Sequence, residues 1–167
     1  MFTCVLIANR GAIAVRIIRT LKQMGIRAIA VYAEADRHSL HVRLADDAYF
    51  LGNGNVRDTY LDQDKLLSVA AQCQADAIHA GHGSLSENAG FAAALEAEGI
   101  VFVGPPASAI EAMGDKITSK KLAAEAGVST VPGHMGRIED ADEAGRIAQR
   151  VGYPVMIKAP AGGGGKG

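Results

Sequence analysis

The chain has 167 residues, 49% of them hydrophobic and 21% charged, and this composition is typical of a globular protein rather than a disordered one. The 17 basic and 18 acidic residues leave a net charge of -1 and form no run of one sign, which argues against a nucleic-acid-binding face. The longest apolar stretches are well short of the roughly 20 residues that cross a bilayer, so a membrane partner is not expected.

Strands and helices are predicted to alternate over the first hundred residues. Apolar runs without a helical period predict strands at 3–8, 26–32, 46–52, 75–79 and 100–103. Apolar residues at helical spacing predict one helix between Gly11 and Gly25, a second at 60–73, and a third at 87–98 that Ser86 caps. Strands joined in this order by helices predict an α/β fold with a Rossmann-like parallel sheet over residues 1–104.

The pattern changes after the strand at 100–103. Helices at 107–112 and 116–126 predict a helical connector, which we place at 105–130. A helix at 140–151 and an apolar strand at 154–159 then predict the start of a second domain over 131–167.

The cysteines and the first residues indicate the compartment. Cys4 and Cys73 lie in apolar segments without CxxC spacing, which predicts reduced buried thiols rather than a disulfide or a metal site. The first residues lead straight into a strand pattern, with no signal or transit peptide. We therefore expect a cytoplasmic protein, or one of the mitochondrial matrix if the source is eukaryotic.

Two loops at predicted strand ends carry candidate binding residues. Asn9-Arg10-Gly11 is a strand-to-helix turn, which either binds an anion at the helix N-terminus or is simply a tight turn. The polar loop at 79–88 follows the strand predicted at 75–79. Ligands of open α/β sheets bind beyond such strand ends. His79 and His82 have no nearby carboxylate or cysteine in a metal-binding pattern, so we expect no metal there.

The strongest local signal is a lysine at the end of an apolar run beside a glycine-rich loop. Lys158 precedes four consecutive glycines at 162–165, whose backbone N–H groups are suited to polyphosphate. The spacing differs from the GxxxxGK[ST] pattern of a P-loop. The alternative is a flexible linker or a cloning tail. Lys116 follows a good capping residue, Asp115, and nothing local distinguishes it from a solvated lysine.

Taken together, these segments closely resemble biotin carboxylases, the ATP-dependent components of biotin-dependent carboxylases. The matching stretches are Leu-Ile-Ala-Asn-Arg-Gly at 6–11, Ala-Asp-Arg at 35–37, Leu-His-Val-Arg-Leu-Ala-Asp-Asp-Ala at 40–48, Leu-Ser-Glu-Asn at 85–88, Gly-Pro-Pro at 104–106, Met-Gly-Asp-Lys at 113–116, and Lys158 with the tetraglycine segment. Several motifs in register across essentially the whole chain are more specific than any one of them.

The resemblance implies a Rossmann-like domain that precedes an ATP-grasp fold. It also implies a ligase that uses MgATP and bicarbonate to carboxylate biotin on a carrier domain. The ATP-binding residues that it implies are Lys116, Lys158, Gly162, Gly163, Gly164 and Gly165. The loop at 79–87 is implied to line the pocket for biotin and bicarbonate, with His82, Gly83 and Glu87 as its candidate residues.

The resemblance also implies what this segment lacks. The family's metal-binding glutamates, bicarbonate-binding arginine and catalytic base match no position in the 167 residues, so we assign neither a catalytic residue nor a metal ligand here. We therefore expect these residues alone to be inactive. The implied partners are a biotin carboxyl carrier domain, a carboxyltransferase and further copies of the carboxylase in a homo-oligomer.

Within the family, the segments from 113 to 144 look most like those of propionyl-CoA carboxylases. Methylcrotonyl-CoA, acetyl-CoA, pyruvate and urea carboxylases share most of the motifs. A purine-pathway carboxylase with an ATP-grasp fold fits the motifs at 79–88 and 113–116 poorly.

Four positions depart from the family pattern. Ala12 stands where the family has glutamate, and Ala80, His82 and Ser84 stand where it has proline, tyrosine and phenylalanine. These changes put the biotin side of the pocket in question. The alternative they favour is a non-catalytic association or ligand-binding module derived from the family.

Overall fold

The structure is a computed structural model that describes residues 1–131, 133–134 and 136–158, with only the backbone described at Ser84 and Lys116. The strands are β1 (Cys4–Ile7), β2 (Arg27–Tyr32), β3 (Asp47–Phe50), β4 (Ala77–His79) and β5 (Val101–Phe102). The helices are α1 (Gly11–Gln23), α2 (Leu40–Leu44), α3 (Gln63–Cys73), α4 (Ala89–Ala97), α5 (Ala107–Gly114), α6 (Lys116–Glu125) and α7 (Ala141–Val151). The chain divides into two compact units, Met1–Ile110 and Glu111–Gly167.

The first unit contains one parallel sheet in the order β3-β2-β1-β4-β5, which confirms the predicted α/β class. The chain leaves the central strand β1 toward β2 and β3, then returns to the other side of β1 with β4. Leu6 of β1 pairs with Ile29 of β2 and with Ile78 of β4. The direction of winding therefore reverses between β1 and β4.

The alternation of side chains along each strand builds a core on both faces of the sheet. On one face, Val5 and Ile7 pack with Ile18 and Leu21 of α1. On the other face, Leu6 packs with residues of α3 and α4, on the opposite side from α1. This change of face follows from the reversal of winding, because right-handed crossovers that run in opposite directions place their helices on opposite faces.

The cap of α4 differs from the prediction. Ser86 does not cap this helix, because Ser84–Glu87 form a separate 3₁₀ turn in which both the N–H and the hydroxyl of Ser86 donate to the carbonyl of Gly83. Asn88 is the N-cap, and its Oδ1 accepts from Phe91 N at 2.9 Å. Ser86 and Asn88 are both favourable capping residues, and α4 begins after Asn88, with the buried Phe91 in its first turn.

In the second unit, α6 and α7 are confirmed, but the predicted strand at 154–159 does not form over its described part, 154–158. A strand needs a neighbour for its backbone groups, and the structure pairs no described strand with these residues. Met156 and Ile157 are 78% and 77% exposed, so an apolar surface lies open in this unit. Residue 159 lies outside the described residues.

Cys4 and Cys73 are both free and buried, as predicted. Burial raises the pKa of both thiols, to about 11 at Cys73. Both are therefore neutral thiols at physiological pH. Within the described ranges, no helix has the length and apolarity needed to cross a membrane.

His41 on α2 is fully buried, and its two ring nitrogens differ. Nε2 lies 3.3 Å from the carbonyl oxygen of Val31, whereas Nδ1 has no hydrogen-bond partner among the described residues. Burial lowers the pKa of His41, because the charged ring would lose its hydration and place a second N–H where no described acceptor lies.

We therefore expect the free energy of unfolding to fall as the pH drops below about 6.5. At that pH His41 binds a proton in the unfolded chain but stays neutral in the folded chain. The loss continues until the pH reaches the lowered folded pKa, with a slope of up to about 1.4 kcal/mol per pH unit. Urea unfolding of the unmodified chain, His41→Gln and the exposed-site control His38→Gln between pH 7.5 and 5.5 measures it. An unchanged pH slope in His41→Gln would contradict the assignment to His41.

Candidate functional site at the carboxyl edge of the sheet

The loops that follow β1 and β4 lie where the winding of the sheet reverses. Residues 8–10 leave β1 toward α1 on one face, and residues 80–83 leave β4 toward α4 on the other. Loops that diverge at such a point leave a crevice at the carboxyl ends of the strands, and this is where open α/β sheets bind ligands. The fold therefore brings the two loops proposed from the sequence to one edge.

Asn9 joins the two loops through its side chain. Its Nδ2 donates to the carbonyl oxygens of Ala80 at 2.8 Å and His82 at 3.0 Å. Its Oδ1 accepts from the backbone N–H of Arg10 at 2.8 Å. All the usual donors and acceptors of this amide are occupied except one acceptor position, so the amide holds one orientation.

The loop after β4 follows a path that requires glycine at position 81. Gly81 has a φ of +70°, and a Cβ built there would lie 2.7 Å from Cγ2 of Ile13 and 2.8 Å from Nδ2 of Asn9. The N–H of Gly81 donates to Nδ1 of His79 at 2.9 Å. Because Nδ1 accepts this bond, neutral His79 carries its proton on Nε2. Burial lowers the pKa of His79, which favours the neutral ring.

The three pocket residues proposed from the sequence lie on this loop and differ in exposure. His82 and Glu87 are exposed, and Gly83 is half-buried with a φ of +108°. The buried Leu85 fastens the loop to the core between them. The edge can therefore offer an imidazole and a carboxylate to a ligand outside the sheet.

A second polar cluster, formed by Arg10, Asp36, Ser39 and Tyr60, lies at the ends of β1 and β2. The Tyr60 hydroxyl donates to Asp36 Oδ2 at 2.7 Å and accepts from the N–H of Ala33 at 3.1 Å. Ser39 donates to the other oxygen of Asp36 at 3.2 Å, and the Arg10 guanidinium lies 3.4 Å from Oδ2 and 5.7 Å from the centre of the Tyr60 ring.

Burial disfavours the charge on Asp36, but the hydrogen bond from Tyr60, the charge of Arg10 and the bond from Ser39 outweigh it and hold the pKa of Asp36 below its usual range. Burial raises the pKa of Tyr60. The cluster is therefore an ionised carboxylate held by a neutral phenol and a guanidinium. This cluster joins Arg10, the neighbour of Asn9, to the turn after β2 and to the loop before α3.

The proposed phosphate-binding residues are described only in part. Lys158 is exposed, in a stretch without regular structure. The side chain of Lys116 and residues Gly162, Gly163, Gly164 and Gly165 lie outside the described part, so their proposed role stays a prediction. Among the described residues, no group of three His, Cys, Asp or Glu side chains is placed to hold a metal ion.

Sequence reasoning misses the bridging role of Asn9 and the cluster around Asp36. The local pattern at Asn9 indicates only a turn with a potential anion site, and no motif marks Tyr60. The sequence places Tyr60 at the start of the helix predicted at 60–73, whereas α3 begins at Gln63 and leaves Tyr60 in the preceding loop. A usable signal is nevertheless present, since Asn9 and Asp36 both fall in matching motifs that follow predicted strands, at 3–8 and 26–32.

Two family models match the chain in sequence order. The model described as biotin carboxylase, N-terminal domain, matches residues 1–110, which is most of the chain. The model described as carbamoyl-phosphate synthase L chain, ATP binding domain, matches residues 115–167. The boundary between the two matches falls close to the boundary between the two compact units.

Among curated relatives, the propionyl-CoA carboxylase alpha chain of Ruegeria pomeroyi is 59% identical over all 167 residues, and a pyruvate carboxylase subunit of Methanothermobacter thermautotrophicus is 51% identical over the same span. This chain spans only 24% and 34% of their respective lengths. The biotin carboxylase domain of Hydrogenobacter thermophilus 2-oxoglutarate carboxylase, a dimer in complex with MgADP, ADP and bicarbonate, is 49% identical with a TM-score of 0.92. The match covers 99% of this chain and 36% of that one. The chain belongs to the family of biotin carboxylase N-terminal domains.

Proposed function

We propose that these residues are the N-terminal part of a biotin carboxylase that uses MgATP and bicarbonate to carboxylate carrier-bound biotin. The observation that carries the proposal is the position of the loop at 79–88, at the reversal of winding in a sheet of this family. The relative from Hydrogenobacter thermophilus is described in complex with MgADP and bicarbonate, which supports the same ligands here.

Within this proposal, the loop carrying His82, Gly83 and Glu87 forms one wall of the pocket for biotin and bicarbonate. The exposed imidazole and carboxylate are supported by the buried Leu85 and by the bonds from Asn9. Histidine is shorter than tyrosine, so this wall offers biotin a shorter side chain at position 82 than the family pattern provides.

The phosphates of ATP are proposed to contact Lys116, Lys158 and the glycines at 162–165. Lysine charge and glycine N–H groups are a donor set that suits polyphosphate. The match of residues 115–167 to an ATP-binding domain supports this assignment. Mg²⁺ bound with ATP would neutralise part of the charge of its phosphates, and none of the residues named here is proposed as its ligand.

The acyl acceptor is proposed to be propionyl-CoA. The 59% identity to the alpha chain from Ruegeria pomeroyi supports it, and the 51% identity to the pyruvate carboxylase relative leaves a narrow margin. The proposed partners are a carrier domain, a carboxyltransferase and a second copy of the carboxylase. The proposed location is the cytoplasm. The related 2-oxoglutarate carboxylase domain is a dimer, in keeping with self-association.

The test compares the 167-residue chain with the full-length protein that contains it. Isothermal titration with MgATP and an assay of ATP hydrolysis with and without bicarbonate and biotin are run on both. We expect the full-length protein to bind MgATP and to hydrolyse it only with both co-substrates, whereas the chain alone does neither.

The outcome that contradicts the proposal is a folded full-length protein that binds MgATP but hydrolyses none of it when both co-substrates are present. Such a protein would be the non-catalytic module that Ala12, His82 and Ser84 favour. With the purified carboxyltransferase added, carboxylation rates for propionyl-CoA, methylcrotonyl-CoA, acetyl-CoA and pyruvate then rank the acceptors.

A further inference from the structure

We infer that Asn9 is a positioning residue for the biotin side of the pocket, which it serves by holding the backbone of the loop at 80–82 across the reversal of winding. That the pocket binds biotin rests on the proposed function. That Asn9 holds the loop rests on the described hydrogen bonds. Asn9 itself need not touch biotin or bicarbonate, because its amide is occupied by the protein backbone.

Asn9 is the donor in both of its bonds to the loop. Both Nδ2 hydrogens of Asn9 go to carbonyl oxygens of the loop, at 2.8 Å to Ala80 and 3.0 Å to His82. These residues lie 71 and 73 positions away in sequence, so the bonds join segments that are distant along the chain. One side chain therefore sets the position of the backbone on both sides of Gly81.

The amide of Asn9 is itself held in one orientation by its neighbour Arg10. The N–H of Arg10 donates to its Oδ1, and this bond orients the amide so that the donors, not the acceptor, face the loop. Arg10 is in turn paired with Asp36, which Tyr60 and Ser39 hold. The cluster around Asp36 thus holds Arg10, and Arg10 in turn fixes the orientation of the Asn9 amide.

Asn9 bonds the backbone of His82, a proposed pocket residue, and so acts on its side chain. Its side chain is exposed, so the position of its imidazole depends on its own backbone rather than on packing. That backbone is fixed at the carbonyl by Asn9 and, one residue later, continues through Gly83 at a φ of +108°. Loss of the Asn9 bonds would therefore let the imidazole of His82 move. The proposed ATP-binding residues 116 and 158 belong to the other compact unit, so this loss should not move them.

The isosteric change Asn9→Asp isolates the two donors. It keeps the acceptor for Arg10 but turns a carboxylate oxygen toward two carbonyl oxygens. Asn9→Ala is the milder variant, because water can replace the amide at this edge. The matched control is Asn55→Asp. Among the described residues, the side chain of exposed Asn55 bonds only through its Oδ1, which accepts from the N–H groups of Arg57 and Asp58, and aspartate keeps that acceptor.

In the full-length protein, we expect Asn9→Asp and Asn9→Ala to lower kcat/KM for biotin by about tenfold or more, which is what the loss of two neutral hydrogen bonds corresponds to. The KM for ATP should change less than about twofold, since the described bonds of the Asn9 amide go to Ala80, His82 and Arg10, which are not proposed to bind ATP. Amide hydrogen exchange should accelerate in peptides covering 79–88 and stay unchanged over β2. Asn55→Asp should match the unmodified protein in all three measurements.

The outcomes separate this inference from the proposed function. If the unmodified full-length protein shows no biotin-dependent hydrolysis, the proposed function fails and the substrate part of the inference fails with it. If that protein is active while both Asn9 variants keep its kcat/KM for biotin, the inference alone is overturned. A parallel loss for biotin and ATP, with faster exchange over β2, would assign Asn9 to general stability and overturn it also.

Discussion

Replacement of Gly81 by alanine is expected to destabilise the first compact unit by about 2–5 kcal/mol. A methyl group at this position has two costs. An L-residue in the left-handed region costs roughly 1–2 kcal/mol, and an added carbon in a packed site costs about 1–3 kcal/mol more. The carbon would lie 2.7 Å from Cγ2 of Ile13 and 2.8 Å from the Asn9 amide, and two hydrogen bonds hold that amide in place.

A matched control separates the two costs. Gly99 also has a φ of +70°, but a Cβ there meets no described atom within 4 Å. Gly99→Ala should therefore lose only about 1–2 kcal/mol, through backbone strain. Urea unfolding of both variants followed by circular dichroism measures the difference. Equal losses at the two positions would show that glycine is needed at position 81 for its backbone conformation alone. The close contacts with Ile13 and Asn9 would then add no cost.

The order of elements is predictable because it depends on local pattern. The buried strands β1 and β2 are nearly continuous apolar runs, and α1 repeats its apolar residues at helical spacing, so each is recognisable without knowledge of its neighbours. The predicted strand at 154–159 shows the limit of the same reasoning. Its apolar run is favourable for a strand, but the described structure gives 154–158 no partner to pair with.

The candidate site is predictable in place but not in its internal contacts. Polar loops after two buried strands indicate the carboxyl edge of the sheet, and the structure brings the loops at 9–11 and 79–83 together there. The bond partners of Asn9 depend on which strand lies beside β1. That choice follows from packing on both faces of the sheet, and no local pattern near residue 9 or residue 80 encodes it.

The cluster around Asp36 is hidden for a related reason. Its members come from the end of β1, the turn after β2 and the loop before α3, and each is an ordinary polar residue in its own stretch. The buried Tyr60 hydroxyl, which is both donor and acceptor, brings them into one network.

Tyr60→Phe removes only that hydroxyl, and we expect it to lower the free energy of unfolding by about 2–6 kcal/mol. The N–H of buried Ala33 would lose its acceptor, and the Asp36 carboxylate would lose its shortest hydrogen bond. Each loss costs about 1–3 kcal/mol when the remaining group stays out of water. Tyr32→Phe is the control, since Tyr32 contributes ring contacts with Phe50 and Arg37 that phenylalanine preserves.

The pH dependence gives a second readout of the same change. The lowered pKa of folded Asp36 means that its contribution to stability is present above the unfolded pKa, near about 4, and is lost as the pH falls through the folded value. Without the Tyr60 hydroxyl that pKa moves back toward its usual range, so the acid-dependent part of the stability shrinks. Urea unfolding of the two variants at pH 7 and in the range below about pH 4 tests both effects. If Tyr60→Phe and Tyr32→Phe lose equal stability and keep the same acid dependence, the hydroxyl does not hold Asp36, and that carboxylate is kept charged by Arg10 and Ser39 without it.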